Sequence, residues 1–126
     1  MLFEIESNKS LEQIDADLRA AAARHSFGVL TVHDLQQTMR NKGVEFGRRV
    51  FIYEVCNPHK AKAVLETNGA VSTALPCRIS VYEKETGFRI ATLLPTEMMR
   101  AFGEPSLEPV AQEVEATMIA IMREAA

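Results

Sequence analysis

The chain has 126 residues, 47% hydrophobic and 25% charged, which is ordinary globular usage and enough chain for one hydrophobic core without staples. Its net charge of -3, with 14 basic residues scattered among 17 acidic ones, excludes the concentrated basic face that nucleic-acid binding requires. No apolar run approaches the ~20 residues that span a bilayer, and Met1 to Asn8 alternates instead of forming a signal core. A cytoplasmic location is therefore expected, with two reduced cysteines.

Phe3, Ile5 and Ser7 alternate with Glu4, Glu6 and Asn8, predicting a short strand with one wet face. Ser10-Leu11-Glu12-Gln13 reads as a capping box, and Leu11, Ile14, Leu18, Ala21 and Ala22 continue a helix to about Arg24. Phe27 to Val32 is a second strand closed by His33 and Asp34. Asp34 caps a short helix to roughly Lys42, stopped by Gly43.

Val50 to Asn57 is rich in β-branched and aromatic residues, with apolar side chains on both parities. A central strand covered on both faces is the expectation. Asn57 as N-cap and Pro58 as first helical residue carry it into a helix ending at Asn68-Gly69, with Cys56 at the junction. After the loop Ala70 to Pro76 come a strand Cys77 to Glu83, a turn Lys84 to Gly87 and a return strand Phe88 to Leu94. Thr96 caps a short helix to about Phe102, and Ser106 begins the terminal helix. No repeat, low-complexity tract or linker interrupts this order, so residues 1–126 read as a single domain.

Three groupings could carry chemistry. Cys56, beside a helix N-terminus, is placed to be a nucleophile or redox thiol, or else a small buried hydrophobe. Cys56 and His59 with Cys77 fall short of the four ligands of a structural zinc, so no metal is expected. If the strands ending at His33 and Cys56 run parallel, His33, Asp34, Cys56 and Asn57 share one sheet edge, with Met39 near, where a nucleophile, base and orienter could meet. Read as cap and turn residues, His33 and Asp34 do no chemistry. The Gly-rich phosphate loop, Gly-x-Ser-x-Gly and His-Glu-x-x-His are missing, so no cofactor is named.

No disulfide between Cys56 and Cys77 is expected. A direct crossover after the helix would start the next strand at the far sheet edge, ~25 Å away, against about 4.4 to 6.8 Å between bridged Cα atoms. The loop Ala70 to Pro76 is long enough to run back and undo this.

Cys56-Asn57-Pro58 and Leu75-Pro76-Cys77, with Phe27-Gly28-Val29-Leu30 and Asp34 upstream and the Tyr82-Glu83 hairpin after, give the chain a resemblance over nearly its whole length. It resembles the uncharacterised bacterial family called domain of unknown function 302. The resemblance implies an α+β, two-layer sandwich in which a largely antiparallel, five-stranded sheet carries helices on one face, and it implies homodimers. It implies no activity, and its motif positions here are Asp34, Cys56, Asn57, Pro58, Leu75, Pro76 and Cys77. An acidic residue before a proline, found in relatives after the hairpin, is replaced here by Leu93-Leu94-Pro95.

The functional expectation is a small-molecule or partner-binding domain with its site at Cys56-Asn57-Pro58 and with Cys77 as a further ligand-binding candidate. The alternatives are a thiol enzyme or redox sensor using Cys56, and a structural dimer module. A homodimer is also expected from the terminal helix, because Met118, Ile119 and Met122 widen its apolar stripe beyond one face.

Overall fold

In β1 (Leu2–Ser7) the alternation seen in the sequence becomes two faces, with Phe3, Ile5 and Ser7 turned to the core and Glu4 and Glu6 to solvent. A computed structural model describes all of residues 1–126. The helix α1 (Leu11–Arg24) starts where Ser10 Oγ accepts a hydrogen bond from Gln13 N at 3.1 Å. The reciprocal half of the capping box is not made. Gln13 instead donates to Asp17 Oδ1 at 2.8 Å. Ile14, Leu18, Ala21 and Ala22 form the buried stripe, and each large side chain among them contributes roughly 1.5–3 kcal/mol of burial.

The remaining elements are β2 (Gly28–Asp34), α2 (Leu35–Asn41), β3 (Val50–Cys56), α3 (Pro58–Thr67), β4 (Cys77–Glu83), β5 (Phe88–Leu93), α4 (Pro95–Arg100) and α5 (Glu108–Ala125). Short 3-10 turns occupy Gly69–Ala74 and Pro105–Leu107. The five strands form one sheet in the order β1-β5-β4-β3-β2, and every neighbouring pair is antiparallel. The fold is thus an α+β sandwich.

Three expectations are corrected by this topology. The middle strand is β4, whereas β3 lies one place in from the edge strand β2. Phe51, Tyr53 and Val55 of β3 join the core, but Val50 and Ile52 on the opposite face are only half-buried, so the chain covers one face of this strand. The β2 and β3 strands are antiparallel, with His33 opposite Ile52 and Gly28 opposite Cys56, which removes the shared edge of His33, Asp34 and Cys56. Finally, Cys77 does not begin at a distant edge. It lies opposite Val55, because the 3-10 turn Gly69–Ala74 brings the chain back beside β3.

The main core lies between the sheet and helices α1 and α5, and contains Tyr53, Ile79, Val81 and Ile90 against Ile14, Leu18, Met118, Ile121 and Met122. Tyr53 keeps its hydroxyl satisfied by donating to Asp15 Oδ1 at 2.7 Å. The wide apolar stripe of α5 finds its cover within the chain: Met118 is 1% exposed, and Ile121 and Met122 are 0% exposed. α5 packs against both α1 and α4. Ile119 stays half-buried, so of the three residues that widen the stripe it alone is left for a contact with a second copy.

A second, smaller cluster of Val64, Val71, Met99, Leu107 and Ala111 sits beneath α3 and α4. The β4–β5 hairpin closes at Gly87, whose φ of +74° suits glycine and whose added Cβ would lie 2.5 Å from the Ser7 carbonyl oxygen. Only glycine fits there.

Candidate functional site

The junction after β3 is built by its own residues. Asn57 Oδ1 accepts hydrogen bonds from His59 N at 3.0 Å and Lys60 N at 3.2 Å, and Pro58 occupies the first turn where no N–H is needed. α3 then projects Ala61 and Val64, one turn apart, toward β3 and α5. At its end Asn68 Oδ1 accepts from Ala70 N at 2.9 Å, opening the turn that returns the chain to β4.

These connections bring the two cysteine motifs together. Cys56, Asn57, Leu75 and Cys77 line one cavity, joined by Met98 and Met99 of α4, Val110, Ala111 and Val114 of α5, and Phe27. Twelve of its fifteen lining residues are hydrophobic, so its interior suits apolar or soft ligands. The space open to the centres of water molecules is about 40 Å³, room for about three waters by the usual 10–15 Å³ each. The occupant it suits is small. Leu75, Cys77, Pro95 and Met98 also wall an adjoining, more polar cleft of about 200 Å³ that includes Pro76, Arg78 and Met118. The bond between Leu75 and Pro76 is cis.

Charge at the site is confined to its rim. Lys60 Nζ is paired with the carboxylate of Glu113 across the gap between α3 and α5. Burial raises the Cys56 thiol above its ordinary pKa. Burial, and secondarily the neighbouring Cys56, pushes Cys77 up to about 11. Both are neutral thiols at neutral pH, and the dipole of α3 does not reverse this. Cys77 shares its face with Ile79 and Val81, as its parity requires.

His33 and Asp34 lie elsewhere. His33 Nε2 is 3.1 Å from Glu54 Oε1 on the open sheet face, and Asp34 Oδ1 accepts from Gln37 N at 3.0 Å as the cap of α2. Their register partners Ile52 and Phe51 are four and five residues from Cys56, about 13–17 Å along the strand. Met39 belongs to that far end, in α2. No group of three or more His, Cys, Asp or Glu side chains is placed to hold a metal ion.

Sequence reasoning found the junction residues and missed Met98 and Met99, which read there only as part of a short helix. The spacing of Val110 and Val114 was visible, but as core.

The profile described as "Domain of unknown function DUF302" matches residues 3–125. Among solved structures, the chain is similar to the crystal structure of an uncharacterized conserved DUF302 protein from Bacillus stearothermophilus. The TM-score is 0.94 at 26% sequence identity, covering 99% of this chain and 98% of that one. No curated protein matches the chain. With a match that runs across nearly every residue, and with the same fold in a relative of that name, the chain belongs to the DUF302 family.

Proposed function

We propose that the chain is a binding domain for a small, largely apolar ligand held in the cavity beside Cys56, Asn57 and Cys77. The observation that carries this reading is the meeting of the two cysteine motifs on one apolar cavity, whose walls come from β3, β4, α3, α4 and α5. Asn57 and Lys60, its polar lining residues, are already engaged, one as a helix cap and the other in an ion pair. The ligand is therefore held by shape and burial more than by hydrogen bonds. Methionines at the wall suit this role, because their unbranched side chains adapt to the occupant.

The thiol-enzyme alternative has less support. A nucleophilic cysteine needs a stabilised thiolate, and burial acts on both thiols in the opposite direction. The test of the binding reading is thermal unfolding in the presence of a panel of apolar molecules of up to about three heavy atoms, since a ligand of the folded state raises the midpoint. Ala61→Leu, which extends a side chain into the cavity, is expected to abolish the response. If no panel member shifts the midpoint, or if Ala61→Leu responds as the parent does, the ligand site is not this cavity.

A homodimer is retained in this reading, with its surface moved from α5 to the open sheet face. The cross-strand pair Leu2 and Leu93 is 55% and 44% exposed there, beside Ile52 and Ala91 in a shallow depression. A second copy covers such a patch by a symmetric contact. Sedimentation at tens of micromolar checks it: Leu93→Glu should shift a dimer toward monomer, and a parent chain that is already monomeric would remove the dimer.

A further inference from the structure

The small cavity carries an unusual share of sulfur. Cys56 at the end of β3, Cys77 at the start of β4, and Met98 and Met99 on α4 all line it, although they come from three elements and two sequence motifs. Thiolates and thioethers are the ligands that select soft monovalent ions such as Cu(I), while zinc asks for four nitrogen, sulfur or carboxylate donors in a tetrahedron. The absence of a third His, Cys, Asp or Glu near the pair argues against zinc and leaves the thioether groups as the remaining donors. The cavity space of about 40 Å³ is also ample for a single ion.

We propose that this cavity is a Cu(I)-binding site in which Cys56 and Cys77 supply two thiolates and Met98 a thioether. The inference rests on the reading of the cavity as a ligand site and adds a soft ion to the small apolar molecules that it would take. Two copper–thiolate bonds form as the two S–H bonds break, both protons leave to solvent, and a third copper–sulfur bond forms by donation of a lone pair from Met98 Sδ. The copper remains Cu(I) throughout, so neither an oxidant nor a reductant takes part. The product carries one net negative charge, and the one basic residue lining the cavity is Lys60, itself paired with Glu113. The lining around the sulfur atoms is mostly apolar and offers a soft ion few competing oxygen donors.

The experiment is anaerobic competition between the full chain and a chromogenic Cu(I) chelator, repeated with Ag(I) as a redox-inert ion of the same preference. One ion per chain is expected. Cys56→Ser and Cys77→Ser should each weaken binding at least a hundredfold, and Met98→Leu, which keeps volume and removes sulfur, about tenfold. X-ray absorption at the copper edge of the parent chain is expected to show sulfur neighbours only, and this readout needs no variant to fold. Failure to withdraw Cu(I) from the chelator, full stoichiometry in the double serine variant, or nitrogen and oxygen neighbours at the metal would each overturn the proposal. If apolar molecules still raise the unfolding midpoint while Cu(I) does not bind, the soft-ion inference alone falls. If neither binds, the cavity reading falls with it.

Discussion

The two apolar clusters of this chain are packed to different standards. Between α1, α5 and the sheet, fifteen residues are buried, and all but a few of them are wholly withdrawn from solvent. Beneath α3 and α4 there are five, and next to them lies the cavity with both cysteine motifs in its wall. The helices differ in a way that explains this. α1 and α5 run 14 and 18 residues and cover the sheet broadly, whereas α4 has six residues and cannot close the space over the ends of β3 and β4. The large cluster holds the fold, and the small one has room for a function.

Substitutions can break that contrast or sharpen it. The largest effect is expected from Met122→Glu, which buries an unpaired carboxylate in the large cluster and should cost 4 kcal/mol or roughly more, enough to unfold the chain in denaturant titrations. A Met122→Glu chain of parental stability would return α5 to the role of an interface. Next comes thiol reactivity. Cys77, raised from 9.0 to about 11, should be alkylated at pH 7.5 about a hundredfold more slowly than an ordinary thiol, two pH units of lost thiolate. Mass spectrometry of pH-stepped alkylation reads this, and a Cys56 faster than free cysteine would restore the thiol-enzyme reading. The same shift favours the neutral thiol in the folded chain. Its contribution to stability is intact below about pH 9 and is lost as the pH rises through about 11.

Overpacking gives the paired test. Ala22→Leu, in the large cluster, should cost about 1–3 kcal/mol because no space receives the added atoms. Ala61→Leu should change stability by less than about 1 kcal/mol, since it fills existing space. Equal costs would mean that the two clusters are packed alike. The smallest effect is expected from Lys60→Gln, which removes a rim ion pair that is well exposed on both sides and should cost about 0–1 kcal/mol.

The sequence disclosed the local parts of this structure and withheld the relations between them. Ser10, Asp34 and Asn57 each cap the helix their spacing predicts, because a cap is a contact within four residues. Whether β2 runs with or against β3 is not encoded in either strand's alternation, and so His33 was grouped with Cys56 when it sits near the other end of the strand. Thr96 illustrates the same limit. It was read as the cap of α4, yet that helix begins at Pro95, and Thr96 N and Oγ1 both donate to Glu115 of α5, nineteen residues away. For Met118 and Met122 the pattern is legible but its cover is not, because a helix wedged between two neighbours and one at a subunit interface have the same apolar width. The thioether groups of the site were illegible for a simpler reason: methionine spacing in a short helix carries no sign of what it faces.

The strand order also has a consequence for synthesis. β1 pairs only with β5, Leu2 opposite Leu93 and Ser7 opposite Phe88, so roughly eighty to ninety residues are made between the partners. At about 5–20 residues per second, several seconds pass on the ribosome before β5 exists to receive it. During that interval Phe3 and Ile5 have no sheet to join, while β2, β3 and β4, which are contiguous in the order of the sheet, can already zip together. The half-built sheet then ends at β4, an edge that in the finished molecule is interior. A nascent chain held at this length therefore offers β4 as an open template, and it is there that a chaperone, or another nascent copy, would find backbone to grasp.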